Sequence, residues 1–208
     1  MSDPAFEAIT KARNQASSGN PTGAANTLER YLETDPHNTR PRLVLAEIAV
    51  HSLNDVEYGL MQLNVILDLE PDNVDAMKAM TTVLAKDKRN NKKTSELFER
   101  IVVLSPTAES YNAYARFLRN QMTDFRKAAE YYEKAIALDP NEYTYHQNYA
   151  VLLLNDIRDY AKAKEELETL MELKPADASV RKNYDRLLKE KFDKDGNPKK
   201  SFRDRFRK

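Results

Sequence analysis

Three histidines, His37, His51 and His146, are the side chains best suited to move a proton or hold a metal near neutral pH. None has a partner at the i,i+4 spacing that puts two ligands on one helix face. Glu165 and Glu166 are adjacent, so on a helix they point in different directions and cannot act as a carboxylate pair. Asp193, Asp195, Asn197 and Asp204 roughly follow a calcium-loop spacing, but Pro198 stands where the glycine belongs and the closing bidentate glutamate is missing. The sequence contains no cysteine, which excludes thiolate nucleophiles, thiolate zinc sites and disulfides. It also contains no glycine-rich phosphate loop and no GxSxG elbow. The sequence therefore predicts no catalytic residue, no metal and no cofactor. Its chemistry is that of charged and amide side chains recognising a partner, so what matters is the scaffold that would array them.

That scaffold is written in the prolines. Pro36, Pro71, Pro106, Pro140 and Pro175 recur every 34 or 35 residues among the chain's 208. Twelve residues before each stands Ala24, Gly59, Thr94, Ala128 or Ala163, and four residues after that Leu28, Leu63, Phe98, Tyr132 or Leu167. A further small position falls at Ala12, Ala46, Thr81, Ala115 and Ala150. Self-similarity at this period marks an array of stacked supersecondary units. Each unit reads as two helices whose backbones approach at the small residues. A large side chain one turn on fills the space beside the crossing. The proline then ends the second helix, lacking an amide proton and clashing with the preceding turn. Helix pairs follow at about 4–17 and 21–34, 38–52 and 55–69, 73–87 and 93–105, 107–121 and 125–138, and 142–156 and 160–173. An eleventh helix at about 177–191 has Val180, Tyr184, Leu187 and Leu188 on one side and Arg181, Lys182, Arg186 and Lys189 on the other, the two-faced character of a terminal cap.

The copy Tyr111, Tyr114, Ala115, Leu118, Ala128, Tyr132, Ala135, Pro140 resembles the tetratricopeptide repeat (TPR) family. So does Tyr149, Ala150, Leu153, Tyr160, Ala163, Leu167, Pro175. The departures are specific: no tryptophan, one extra residue in the inter-helix turn of four copies, and Tyr31, Ile66 and Ile101 where a small residue is usual. The resemblance implies an all-α, right-handed superhelical solenoid of five TPR-like helical hairpins plus a C-terminal capping helix. The repeats would span about 3–36, 37–71, 72–106, 107–140 and 141–175 of a single domain covering 1–192, followed by a basic flexible tail at 193–208. Composition agrees: 32% of residues are charged and only four are glycine. The opening MSDPAFEAITKAR has no apolar core of a signal peptide, and no apolar run nears the roughly 20 residues of a membrane span, so a soluble cytoplasmic protein is expected.

In such arrays the first helix of each hairpin lines the concave groove. The implied groove residues are Arg40, Glu47, His51, Asp75, Lys78, Lys86, Asn112, Arg116, Arg119, Gln147, Asn155, Lys182 and Arg186. Seven are basic and two acidic, so the resemblance implies a positive groove suited to an extended acidic peptide or a carboxylate-bearing terminus. The chaperone-tail clamp found in some members does not fit: Lys78 matches one clamp lysine, but Thr82 and Ala113 stand at its asparagines. In the next register Asn148 matches while Asn112 and Arg116 do not.

Two basic segments lie outside the groove. The third hairpin's turn, Lys86 to Lys93, carries five positive charges and one negative. From Lys189 to Lys208 there are nine basic and four acidic residues, and Phe202 and Phe206 stand four apart among Arg203, Arg205, Arg207 and Lys208. The sequence is thus consistent with two functions. One is a non-enzymatic scaffold or adaptor that holds a peptide or partner subunit, an assembly factor among its forms. The other is an accessory protein that uses the basic turn and the Arg-Phe tail on nucleic acid or an anionic membrane surface. Oligomeric state is not set by the sequence.

Overall fold

The computed structural model describes residues 3–199. Phe202, Arg203, Arg205 and Phe206 lie outside them. Eleven α-helices follow one another: α1 Pro4–Ser17, α2 Pro21–Thr34, α3 Thr39–His51, α4 Val56–Leu69, α5 Val74–Leu84, α6 Asn91–Leu104, α7 Ala108–Phe117, α8 Phe125–Leu138, α9 Tyr143–Leu152, α10 Tyr160–Leu173 and α11 Ala178–Lys191. Among the described residues there is no strand, only an isolated bridge between Phe192 and Pro198. The helices form two compact units, Met1–Ser105 and Pro106–Lys208. In the first, α1 packs on α2, α3 on α4 and α5 on α6; in the second, α7 packs on α8, α9 on α10 and α10 on α11.

The small residues do the work their spacing predicts. Ala24, Gly59, Thr94, Ala128 and Ala163 are all buried, as are Leu28, Leu63, Phe98, Tyr132 and Leu167 one turn on. At Gly59 the approach is close: an added Cβ would meet a Val50 methyl and stand 3.2 Å from the Ala46 carbonyl oxygen. Thr94 fits the same place because its hydroxyl donates to the Asn90 carbonyl at 2.9 Å, within its own helix. Side-chain N-caps start most helices. Asp3, Asn20, Asp55, Asn73, Thr107, Asp124, Asp159 and Asp177 each accept an amide proton from the first turn. Asn38 is an exception: its amide donates instead to Asp35 and Tyr31.

The extra residue in the hairpin turns is absorbed by a defined device. Residues Leu118–Met122 and Leu153–Ile157 wind as π-helix, and the chain leaves through Thr123 and Arg158 in the left-handed region, φ 54° and 64°. Asn54 does the same after α3 at φ 57°. There the Leu53 amide reaches back to Ile48 and the Asp55 amide to Ala49. The third hairpin differs. Here α5 ends at Leu84, short of the expected 87, and a 3-10 turn at Lys88–Asn90 leads into α6 two residues early.

A second regularity joins the two helices of a hairpin. In the second to fifth hairpins the residue four before the first-helix small position and the residue three after the second-helix one are 20 apart: Arg42 and Gln62, Met77 and Leu97, Tyr111 and Tyr131, His146 and Glu166. The Arg42 guanidinium donates to Gln62 at 2.6 Å, and the two tyrosine rings lie 5.9 Å apart. His146 Nδ1 and Glu166 Oε2 are 2.7 Å apart. Met77 and Leu97 are both buried.

Candidate functional site

In the first unit, the residue directly after each first-helix small position faces the open side: Arg13 after Ala12, Glu47 after Ala46, Thr82 after Thr81. Together with Leu43, Val50, His51, Asp75, Lys78, Ala79 and Val83 they line a cavity of about 490 Å³ bounded by α1, α3 and α5. Its floor is aliphatic. Its wall holds two cations, Arg13 and Lys78, against two anions, Glu47 and Asp75, with His51 beside them. Charge in this cavity is therefore balanced, where the sequence predicts an excess of positive charge. Glu47, His51, Asp75 and Lys78 all lie among the lining residues. Arg40 is not among the lining residues: it is exposed and pairs with Asp3 at 3.1 Å. Lys86 is exposed outside the cavity. Arg13 escapes the sequence reading because the first repeat is the weakest copy. Its signal is position alone, one residue past Ala12.

In the second unit the predicted residues divide into engaged and open. Asn112 is buried and its amide oxygen accepts from Asn148 at 3.0 Å. Arg119 donates to Asp156 at 2.6 Å, both side chains being more than three-quarters buried, so its charge is met inside the protein. The two π-helical turns place this pair, Arg119 in one and Asp156 in the other. Arg116, Gln147 and Lys182 are exposed. Asn155 and Arg186 line a cavity of about 470 Å³ with Arg158, Tyr160, Asn183, Glu190 and Lys191. Three cations face one anion there. Arg158, which the sequence reading does not single out, is brought in by its left-handed turn.

The remaining titratable groups serve the frame. His146 is buried, with Nε2 donating to the Pro140 carbonyl at 2.9 Å, and burial pushes the Glu166 carboxyl beside it upward. Tyr149 donates to Glu133 at 2.6 Å and Lys162 reaches the same oxygen at 2.9 Å. The hydrogen bond from Tyr149, then that from Lys162, holds the Glu133 carboxyl below its ordinary value. In the basic turn, Arg89 is chelated by Asp87, while Lys88, Lys92 and Lys93 are exposed. After α11 the chain folds back. Phe192 is buried, the Asp193 carboxylate accepts the amides of Asp195 and Asn197, and the Lys199 amide donates to Lys191. Asp193 is thus occupied by backbone donors, the pattern of an Asx turn. Among the described residues no His, Asp or Glu group is arranged to hold a metal, and no helix is long and apolar enough to cross a membrane.

Small residues at helix crossings, a proline-terminated second helix and a side-chain-lined first-helix face define a helical-hairpin repeat protein. Residues 108–142 match the tetratricopeptide repeat model, and the fold is similar to that of solved TPR proteins. It is similar to MamA (residues 41 to the end) from Desulfovibrio magneticus RS-1, at 23% identity and a TM-score of 0.71, covering 86% of this chain and 99% of that one. It is also similar to YrrB, described as a TPR protein with an unusual peptide-binding site, at 17% identity and a TM-score of 0.65 over 79% of this chain and 84% of that one. A third likeness is to TTC0263, a thermophilic TPR protein of Thermus thermophilus, at 15% identity and a TM-score of 0.59, covering 88% of this chain and 98% of that one. Comparison with curated proteins finds no match.

Proposed function

We propose that this chain is a non-catalytic interaction scaffold whose first-helix faces hold a peptide or a segment of a partner subunit. The observation that carries this reading is the cavity between α1, α3 and α5, whose aliphatic floor and charged wall are set by repeat register. A concave apolar site with a few convergent polar groups is the general form of a binding site. YrrB, a TPR protein described as peptide-binding, supports the same use of the fold.

The two units call for different ligand chemistry. Balanced charge around Leu43, Val50 and Val83 favours a segment with an aliphatic or aromatic anchor flanked by both signs of charge. The Arg158, Arg186 and Lys191 cluster favours a carboxylate-bearing segment. Selection of binding peptides from a random library against the full chain tests the proposal. Ligands for the first unit should lose affinity in Val50→Glu and keep it in Arg186→Glu, and acidic ligands should do the reverse. A library that yields no binder, or binders indifferent to both changes, would sink the scaffold reading.

A further inference from the structure

The cavity of about 470 Å³ beside α11 is not charge-balanced like the one in the first unit. Arg158, Arg186 and Lys191 line it against a single carboxylate, Glu190, which lies one turn past Arg186 on the same helix. Two of the three cations are positioned by neighbours. Lys191 Nζ stands 5.1 Å from the centre of the Tyr160 ring, at the start of α10. The Arg186 guanidinium donates to Asn183 at 3.4 Å and keeps the rest of its five-donor fork for a ligand. Arg158 has no side-chain hydrogen bond or ion pair among the described residues, unlike Arg119, which Asp156 neutralises. It also stands at φ 64°, where the second hairpin has Asn54, a residue suited to the left-handed region. An arginine gains no ease from that conformation; what the turn delivers is a guanidinium to the cavity. Leu187, buried, and Leu154, half-buried, supply an apolar floor, and the Asn155 and Asn183 amides add neutral donors.

We infer that this cavity receives a phosphoryl group carried on a serine or threonine of a partner segment, an inference that rests on the scaffold reading above. Charge chooses phosphoryl over carboxylate. A phosphomonoester carries about −1.5 to −2 charges at neutral pH and three strong acceptor oxygens. That matches three cationic donors with a surplus of two positive charges. A carboxylate, with one charge and two oxygens, leaves part of the surplus unmet. Arginine forks bind phosphoryl oxygens in pairs, and Arg158 and Arg186 supply two such forks. Leu154 and Leu187 accept the aliphatic part of a residue beside the phosphorylated one, which inorganic phosphate lacks. The three cations line one cavity instead of following a helix face, so they suit a single phosphoryl group and not the serial phosphates of a nucleic acid.

Short peptide libraries with a fixed central phosphoserine, glutamate or serine, screened against the full chain, test this. The strongest phosphoserine peptide, remade in all three forms, should bind about tenfold tighter than its glutamate form and show no measurable binding as serine. Arg158→Gly and Arg186→Gln should each weaken the phosphoserine peptide by about tenfold, the loss of one charge-assisted contact. Arg158→Gly also relaxes the left-handed turn, so a melting temperature that does not fall separates lost binding from lost folding. Arg126→Gln, which removes an exposed cation outside the cavity, should leave the affinity unchanged. Equal affinity of the glutamate form would overturn the phosphoryl assignment and leave the scaffold reading standing, whereas three libraries without a binder would take both down. A phosphoserine peptide indifferent to Arg158→Gly and Arg186→Gln would also overturn the assignment. So would a need for these arginines in binding phosphatidylserine vesicles or single-stranded RNA while no phosphopeptide binds.

Discussion

His146 and Glu166 meet at 2.7 Å between α9 and α10, in the position that Arg42 and Gln62 fill between α3 and α4. In both pairs the first-helix side chain also donates to the carbonyl of the proline six residues earlier, Pro140 or Pro36. One slot thus performs two tasks: it joins the hairpin and satisfies a carbonyl left open at a helix end. Met77 and Leu97 fill it with apolar side chains.

Exchange of the pairs is the first prediction. His146→Met or Glu166→Leu alone strands a buried polar partner, at a cost of about 1–3 kcal/mol. The double variant recreates the Met77–Leu97 combination and should cost less than either single change. Urea melts of the four proteins measure the coupling, and strict additivity would count against a shared slot.

Gly59 sets two effects of known size against each other. Alanine there gains about 1 kcal/mol of helix propensity. It also drives a Cβ into Val50 and to 3.2 Å from the Ala46 carbonyl, an overpacking cost of about 1–3 kcal/mol. The clash should win, so Gly59→Ala lowers the melting temperature. Adding Val50→Ala should return part of that loss relative to Val50→Ala alone. A stabilised single variant would mean that α3 and α4 separate more easily than their contact suggests.

The turn residues make a graded prediction. A left-handed conformation costs an ordinary L-residue about 1–2 kcal/mol, and most for a β-branched one. Glycine removes that strain but raises chain entropy in the unfolded state by about 0.4–1 kcal/mol. Thr123→Gly should therefore stabilise the protein by about 0.5–1 kcal/mol, Arg158→Gly by less, and Asn54→Gly hardly at all. Thermal melts showing the opposite order would remove turn strain as the explanation.

Asp177 links stability to pH. Hydrogen bonds from Ser179 and then Tyr143 lower its carboxyl from 3.8 to about 2. A carboxyl depressed on folding contributes stability above its unfolded value, and that stability is lost as pH falls through the folded one. Wild type should thus lose stability between about pH 4 and pH 2 more steeply than Asp177→Asn, which keeps an N-cap without titrating. Parallel melting curves across that window would show that the α11 cap carries no charge-dependent part.

The proline period made the helical hairpins legible, because crossing residues must be small and a proline must stop a helix wherever the unit recurs. Turn geometry was less open to reading. An added residue can be absorbed by a π-turn, as before Thr123, or by a 3-10 turn, as at Lys88–Asn90, and spacing alone does not distinguish them. Charge in the candidate site was the least legible feature. Register names residues on the first-helix face but not which are neutralised by neighbours, as Arg119 is by Asp156. Arg13 shows the reverse failure, a lining cation in a repeat too degenerate to mark it.

The 20-residue slot pairs also bear on how a chain of look-alike helices avoids assembling in the wrong order. If α9 closed on α6, His146 would face Leu97, and a buried imidazole would lose its proton partner. If α3 closed on α10, Arg42 would meet Glu166 and the Gln62 and His146 positions would both be left unmatched. Four hairpins thus carry four different combinations, and exchanging a helix of a polar pair for one of the apolar pair leaves a polar group stranded even though every small residue and every proline is preserved. Duplicated repeats that kept one common pair would lack that proofreading.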